Sequence, residues 1–513
     1  AGAVLRIPLL LSALSGLLTA AALPNELFFE GNLFLGLICL VPYFLALRRF
    51  PAVSPIDEAR GVWREDALVG AVYGLVYGFA GNYWLMFFGE FSVWTIGGVT
   101  LGFTIYHSVL APILGTHRRL PGWARPLVLA LFFAGYDYLR SIGFLGYPWG
   151  LMGYPAASVT VLIQHADLTG VWLLGFVVVL GNAVIAEIVD RRRRGVDRGH
   201  RSAVIAGGAA FLGLSFLIVL YGTLALRQER PVAATARMIL VQQNSDSWAR
   251  GNELPALLQA QRLTLRAVEE ATAGNQDPAA GEAAGDGSPP VDLIVWSETS
   301  LRRLYTENRG FYLGNPPEHP FLSFLRDLPA PLLTGAPVLL DASERKVGNG
   351  ALLVNQQGDV IEYYAKRQLV PFAESIPFWN VPFVQRFFRS VIGLGGVWTP
   401  GEEYRLFDLE APDGPLRYAT PICFEDAFSY VCRDMVRQGA DLLINLTNNS
   451  WSRTDSAQVQ HYVAAKFRSV ENRITLVRST NSGLTTVVDP WGQRLASLPM
   501  FEADYLIVDV PLY

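Results

Sequence analysis

Long apolar runs fill the first half of the chain, whereas shorter apolar runs alternate with polar segments in the second half. Seven runs before residue 225 are long enough, or nearly so, for a helix that crosses a bilayer, which needs about 20 residues. They cover residues 5–23, 31–48, 67–88, 92–114, 126–144, 168–189 and 203–224. Because lipid offers no hydrogen bonds to the backbone, these runs predict an α-helical membrane bundle of about seven transmembrane helices.

Arginines concentrate in the loops that follow the second, fourth and sixth runs, while the alternate loops are nearly free of Lys and Arg. Positively charged loops remain in the cytoplasm. The N-terminus is therefore predicted inside, and everything after the seventh run outside. The first run ends in Ala20, Ala21 and Ala22, so a cleaved signal peptide is an alternative for it. Cleavage would leave the second half on the same side.

From about residue 231 the pattern predicts an α/β domain, which gives a division into 1–230 and 231–513. Its β-rich runs are residues 237–243, 291–296, 332–340, 350–354, 418–422, 442–446, 475–478 and 485–488. Helical patterns cover residues 253–272 and 458–471, and residues 271–290 are rich in Ala, Gly, Pro and Asp, as in a surface insertion.

Composition agrees with a membrane protein, since 51% of residues are hydrophobic, 17% are charged and the mean hydropathy is +0.28. The net charge of -4 comes with no basic stripe, which argues against a nucleic-acid partner. Three cysteines cannot form a disulfide framework, and no Cys/His cluster or phosphate-binding loop is present in the sequence. We therefore expect no metal and no cofactor.

Three segments of the second half place a reactive side chain at the end of a predicted strand: Glu298, Lys366 and Cys423. A thiol beside a helix start and a cation is a candidate thiolate. A carboxylate can take its proton, and an ammonium can stabilise an oxyanion. Each residue alone has an ordinary structural explanation, as a core Cys, a capping Glu or a solvated Lys. Together they favour covalent acyl transfer.

The order Glu, Lys, Cys resembles the nitrilase superfamily, and the whole chain resembles its membrane-anchored branch, the apolipoprotein N-acyltransferases. The resemblance is carried by residues 146–149, 164–170, 294–299, 366–374, 460–471 and 478–483. It implies an αββα sandwich after the helical bundle. It also implies that Cys423 is the nucleophile, Glu298 the general base and Lys366 the oxyanion-stabilising cation.

The same resemblance implies that Glu374 supports the lysine and the substrate, and that Trp248 is an aromatic residue at the substrate site. It also matches Glu425 to an acidic residue just past the nucleophile and Asn349 to a polar site residue ahead of the lysine. It implies transfer of an acyl chain from a phospholipid, such as phosphatidylethanolamine, through a thioester to the N-terminal amine of a diacylglyceryl apolipoprotein. The expected setting is a bacterial inner membrane, with the catalytic domain on the periplasmic side. We expect a monomer.

Three departures from the family pattern stand out. Phe424 replaces a usual Tyr, residues 448–451 differ from the commoner Asn-Asp-Ala-Trp, and relatives continue past the position of Tyr513 into one more membrane helix. None of the three changes the Glu, Lys and Cys residues. Residues 376–397 combine Phe and Trp with Arg, which indicates either an arm on the outer leaflet or a buried loop and helix.

Two other function classes remain open from the sequence. A membrane-tethered amidase would use the same three residues on small amides. A transporter or receptor would leave those residues unexplained and would favour charged groups inside the helices. Such groups are few: Asp137 and Arg140, which are three apart and could pair, and Glu187.

Overall fold

The computed structural model describes residues 2–48, 56–89, 92–194, 198–246, 249–274, 291–392, 396–412 and 414–513. The chain forms two compact units, Ala1–Gln228 with Thr454–Phe467, and Glu229–Arg453 with Arg468–Tyr513. The α-helices of residues 1–228 are Gly2–Ala22, Leu33–Gly36, Val41–Leu47, Ile56–Ala80, Ser92–Gly115, Arg125–Leu139, Thr160–Ile163, Ala166–Thr169, Trp172–Arg194 and Arg198–Arg227. Short 3₁₀ turns lie between several of them.

Three of the described helices are long and apolar enough to cross a membrane: Ser92–Arg119, Trp172–Arg192 and Arg198–Arg227. The apolar run predicted at 31–48 is divided between two short helices, Leu33–Gly36 and Val41–Leu47. The described residues therefore contain three candidate membrane spans. The full set of seven spans stays a prediction.

The three charged residues singled out within the apolar runs, Asp137, Arg140 and Glu187, are paired in the structure, Glu187 with Arg48 at 2.6 Å. Asp137 Oδ1 lies 3.0 Å from Arg140 Nε, which confirms the pair expected from their spacing. The Arg140 guanidinium also donates to the carbonyl oxygens of Tyr147, Trp149 and Gly150, at 2.8, 2.7 and 2.8 Å. Pairing satisfies charges that would otherwise be costly in an apolar interior. These residues therefore have a structural explanation.

The second unit contains two six-stranded sheets. Its strands are β1 (Ala234–Gln242), β2 (Leu293–Trp296), β3 (Leu332–Asp341), β4 (Lys346–Val354), β5 (Val360–Ala365), β6 (Leu406–Ala411), β7 (Gly414–Ala419), β8 (Leu442–Thr447), β9 (Thr475–Thr480), β10 (Thr486–Val488), β11 (Arg494–Ser497) and β12 (Asp504–Leu512). One sheet has the order β12-β1-β2-β3-β4-β5, and the other β11-β10-β9-β8-β7-β6. The α-helices after residue 228 cover Glu253–Gly274, Arg309–Gly314, Phe321–Arg326, Pro382–Phe387, Ser429–Arg437 and Asp455–Asn472.

The sheets face each other, with β1, β2 and β12 lying against β9. Hydrogen bonds also cross between them, as from Ser479 Oγ to the Val295 carbonyl at 3.3 Å. Helix Glu253–Gly274 packs on β1 and β12, and its buried face shares an apolar core with Trp296 and Phe321. Burial of β2 on both faces explains why its sequence is continuously apolar.

Most predicted strands are confirmed to within a few residues, but the run predicted at 418–422 is displaced. Strand β7 ends at Ala419, and beyond it only an isolated bridge joins Ile422 to Leu446. Pro421 lacks the N–H that a ladder needs, so the strand ends before it. Three strands that the pattern did not single out, β6, β11 and β12, are edge strands of the two sheets. The fourth edge strand, β5, is the one that ends just before Lys366, as expected from the sequence.

Candidate active site

The three reactive side chains lie just beyond strand ends within the second unit. Glu298 follows β2, Lys366 follows β5, and Cys423 begins a 3₁₀ turn, Cys423–Ala427, after β7. The first two come from one sheet and the third from the other. The face-to-face packing of the sheets therefore brings together residues that are far apart in sequence.

Glu298, Lys366, Glu374 and Asn349 form one buried polar cluster. Lys366 Nζ lies 2.8 Å from Glu374 Oε2 and 3.8 Å from Glu298 Oε1, and the Lys366 side chain is fully buried. Asn349 Nδ2 donates to Glu298 Oε1 at 2.7 Å and to Glu374 Oε1 at 3.0 Å. The Val370 N–H donates to Glu374 Oε2 at 2.8 Å. Two carboxylates thus hold one ammonium, and Asn349 links the carboxylates.

Burial and charge shift the proton affinities of this cluster. Burial raises the pKa of Glu298, and the neighbouring Lys366 ammonium only partly opposes the rise. For Lys366, burial alone would lower the pKa, but the nearby carboxylates, Glu374 first and also Glu298, raise it above its usual range. Burial, followed by the negative charge of Glu298, raises the pKa of the Cys423 thiol. Lys366 is therefore cationic at neutral pH, and the Cys423 side chain is a protonated thiol.

Cys423 occupies a strained turn. Its φ is 52°, in the left-handed region that residues with a β-carbon rarely adopt. Asn445 Nδ2 holds the turn by donating to the carbonyl oxygens of Pro421 and Cys423, at 3.0 and 2.9 Å. The side chain is half-buried and forms no disulfide. Strain of this kind persists where the surroundings enforce it, and it is common at catalytic positions.

Glu425 lies behind the cluster and joins the lysine segment to the cysteine turn. Its Oε1 accepts from the N–H groups of Arg367 and Gln368, both at 2.9 Å, and its Oε2 accepts from the Ile422 N–H at 2.8 Å. The Tyr364 hydroxyl donates to Oε1 at 3.0 Å. Burial raises the pKa of Glu425, while the Gln368, Ile422 and Arg367 N–H groups oppose that rise. The carboxylate fixes the position of two loops that carry reactive groups.

The residues next to Cys423 complete its surroundings. The Lys366 Nζ lies 5.8 Å from the centre of the Phe424 ring, a contact that needs no hydroxyl on the ring. The Asp426 carboxylate pairs with Arg478, and both side chains are buried. Six of the seven sequence-predicted site residues thus lie in or directly behind this site. The seventh, Trp248, lies outside the described residues.

Comparison with known proteins identifies the sequence. The family described as Apolipoprotein N-acyltransferase N-terminal domain matches residues 15–184, and the family described as Carbon-nitrogen hydrolase matches residues 240–513. Apolipoprotein N-acyltransferase 2 of Treponema pallidum is 38% identical over 99% of this chain and 90% of its own length. The chain belongs to the apolipoprotein N-acyltransferase family.

Apolipoprotein N-acyltransferase of Borreliella burgdorferi, another member of this family, is 30% identical over 98% of this chain and 89% of its own length. Among solved structures, Saccharomyces cerevisiae Nit3 of the nitrilase superfamily has 17% identity and a TM-score of 0.37, and covers 55% of this chain and 92% of its own. The match of residues 240–513 to the Carbon-nitrogen hydrolase family, together with the two six-stranded sheets, supports a nitrilase-like fold for the second half of this apolipoprotein N-acyltransferase family member.

Sequence reasoning missed several residues of the site in this family member. Tyr364 lies in a strand, and nothing in the sequence indicated that its hydroxyl donates a hydrogen bond to Glu425. Gly335 on β3 allows close approach, since a β-carbon there would lie 2.5 Å from the Glu298 Cα. Asn448, whose segment was noted only as a departure, donates its backbone N–H to Glu298 Oε2 at 2.8 Å. Its position just after β8 was the available signal, because polar residues at strand ends often form sites.

Proposed function

We propose that this chain transfers an acyl chain from a membrane phospholipid, through a Cys423 thioester, to the N-terminal amine of an S-diacylglyceryl-cysteine apolipoprotein. Phosphatidylethanolamine is the proposed donor. The observation that carries the proposal is the placement of Glu298, Lys366 and Cys423 just beyond strand ends of the two facing sheets, in a chain of this family. No cofactor is needed for either step.

In the first step, Glu298 acts as general base. Because the Cys423 pKa is raised, the resting side chain carries a proton. Glu298 takes that proton as Sγ attacks the ester carbonyl carbon. The bond from that carbon to the glycerol oxygen then breaks, Glu298 returns the proton to the leaving oxygen, and a lysophospholipid departs. A buried carboxylate with a raised pKa suits both directions of proton transfer.

Lys366 stabilises the oxyanion that forms during this attack. Its raised pKa keeps the side chain charged, and Glu374 keeps it in place. A preorganised cation in a site that excludes water stabilises developing charge without further reorganisation. In the second step, the apolipoprotein amine attacks the thioester carbon, Glu298 takes the amine proton, and the thiolate of Cys423 leaves and is reprotonated.

The membrane setting remains part of the proposal: a domain of residues 1–230 with seven spans, and a monomeric periplasmic catalytic domain of residues 231–513. Both substrates are anchored in one leaflet, which raises their effective concentration. Within residues 376–397, Phe378 and Phe383 are each 74% exposed. Exposed aromatic side chains favour an arm at the outer leaflet over a buried loop.

A membrane-tethered amidase is the second candidate, favoured by the match of residues 240–513 to the carbon-nitrogen hydrolase family. It would share the thioester but would pass the acyl group to water. The candidates differ in the acyl donor, because an amidase would react with small amides and leave phospholipid intact.

Intact-mass analysis of the full chain, incubated with phosphatidylethanolamine in detergent, tests the proposal. We expect a hydroxylamine-sensitive gain of one acyl chain, with release of lysophospholipid, and neither in Cys423→Ala. Cys432→Ala is the matched control and should retain the adduct, since Cys432 is buried in the helix Ser429–Arg437. Absence of adduct and lysophospholipid in the unaltered chain would refute the acyltransferase proposal.

A further inference from the structure

The Glu298 carboxylate is held on both of its oxygens. Oε1 accepts from Asn349 Nδ2 at 2.7 Å, and Oε2 accepts from the backbone N–H of Asn448 at 2.8 Å. Asn349 lies on β4 of the same sheet as Glu298, whereas Asn448 follows β8 of the other sheet. The direction of the carboxylate therefore depends on where Asn448 is held.

Asn448 is held through its own side chain. Its Nδ2 donates to Thr299 Oγ1 at 2.8 Å, and its Oδ1 accepts from Asn481 Nδ2 at 2.9 Å. Thr299 directly follows Glu298 and has a φ of 55°, a strained value for a β-branched residue. The side chain of Asn448 thus ties its own backbone to the residue next to Glu298.

Asn481, just after β9, is fully buried and links Asn448 to the segment that follows β1. Its Nδ2 also donates to the Ser245 carbonyl at 2.9 Å, and its Oδ1 accepts from the Ser245 N–H at 3.0 Å. Its own N–H donates to the Thr447 carbonyl at 2.9 Å. The two side chains, called here the asparagine bridge (Asn448 and Asn481), therefore connect the segments that follow β1, β2, β8 and β9.

We propose that the asparagine bridge positions the general base: it holds the Asn448 N–H against Glu298 and so fixes the direction in which the carboxylate faces Cys423. Asn448 and Asn481 are positioning residues, since they act through Glu298. The inference rests on the proposed role of Glu298 as the base. An N–H bond to a carboxylate favours its charged form, so the bridge also limits how far burial raises the pKa of Glu298.

A bridge that only stabilised the domain would lower thermal stability without changing the pH dependence of the reaction. The test therefore measures acyl-enzyme formation by the full chain in detergent against pH, using the burst of p-nitrophenolate from p-nitrophenyl acetate. This probe acylates a nucleophilic cysteine without requiring recognition of a phospholipid. A parallel measurement with phosphatidylethanolamine reports the proposed donor.

Asn448→Asp keeps an acceptor for Asn481 and adds a negative charge beside Glu298. We expect the acid limb of the rate profile to move up by about one pH unit, because a like charge disfavours ionisation of Glu298. Asn308→Asp is the matched control. Its half-buried amide binds the Leu304 carbonyl, remote from the cluster, and the profile should not move.

Thr299→Val and Thr299→Ser form a second pair that separates positioning from folding. Valine keeps the branched shape but loses the oxygen that accepts from Asn448, whereas serine keeps that oxygen. We expect Thr299→Val to lower the acylation rate constant about 100-fold with little change in KM. Thr299→Ser should restore most of the rate, because serine keeps the hydroxyl oxygen that accepts from Asn448.

The outcomes separate this inference from the proposed function. An acid limb unchanged in Asn448→Asp, or equal rates for the two Thr299 variants, would overturn the positioning role. A burst with p-nitrophenyl acetate, but no acyl-enzyme with phosphatidylethanolamine, would refute the proposed donor. The pH profile and the Thr299 variants, measured with p-nitrophenyl acetate, would still decide the positioning role. If the unaltered chain forms no acyl-enzyme with either donor, both the proposed function and the positioning role are refuted.

Discussion

Lys366 Nζ lies 2.8 Å from Glu374 Oε2, and the lysine side chain is completely buried. Glu298 is farther from the same ammonium, at 3.8 Å. The closest charge partner of the cation is therefore not Glu298, the proposed base, but a second carboxylate. This arrangement leaves Glu298 able to exchange a proton while Lys366 stays charged and fixed.

Replacement of that closest partner, Glu374→Gln, should impair both folding and chemistry. Breaking a buried ion pair typically costs about 3–5 kcal/mol of unfolding free energy. Burial would then lower the pKa of Lys366, since its largest opposing charge is lost. We expect the free energy of unfolding, measured with urea, to fall by about 3 kcal/mol, and the acylation rate to fall at least about 100-fold.

Glu403→Gln provides the control for this experiment. Glu403 pairs with Arg405 at 2.8 Å, but both side chains are substantially exposed. Exposed pairs contribute about 0–1 kcal/mol. Equal destabilisation by the two replacements would show that the buried Lys366–Glu374 pair contributes no more to the free energy of unfolding than an exposed pair does.

The pH dependence of acylation should follow the raised pKa of Glu298. A raised pKa means that the carboxyl retains its proton to higher pH, and a protonated carboxyl cannot act as a base. The rate should therefore fall as pH decreases through that pKa, at values above the usual glutamate range of about 4.3. Burst kinetics from pH 4 to 9 measure this limb, and Glu298→Gln should abolish it. A limb at the usual glutamate pKa would contradict the expectation.

Glu425→Gln should be much more damaging than Tyr364→Phe. Glutamine presents an NH₂ group to at least one of the donors that now face Glu425, which leaves buried donors unsatisfied at about 1–3 kcal/mol each. Tyr364→Phe removes one donor and should cost about 1 kcal/mol. Thermal unfolding and acylation rates of the two variants give the comparison, and similar losses would show that Glu425 does not join the two loops.

The left-handed conformation of Cys423 gives a prediction about stability to unfolding that does not depend on the reaction the protein catalyses. Glycine adopts positive φ without strain, so Cys423→Gly should be about 1 kcal/mol more stable to unfolding than Cys423→Ala. Cys432, in the helix Ser429–Arg437, supplies the opposite case. There alanine should be more stable than glycine by about 1 kcal/mol. The same sign at both positions would show that Cys423 is not strained.

The sequence by itself determined the contrast between an apolar first half and an α/β second half, the central strands and the candidate reactive side chains, because these depend on local patterns. Runs of buried apolar residues predict spans and central strands, and Cys423, Glu298 and Lys366 each lie in a distinctive segment. The edge strands, such as β6 and β11, were missed because pairing on one side leaves their sequences partly polar and exposed.

Only the tertiary structure decided which polar residues meet. Asn448 and Asn481 are separated by 33 residues, and Asn448 and Glu298 by 150, so no local pattern relates them. The choice of Glu374 over Glu298 as the closest partner of Lys366 also depends on a difference of about an ångström. Differences of that size are set by the packing of two sheets against each other, which hydrophobic periodicity does not specify.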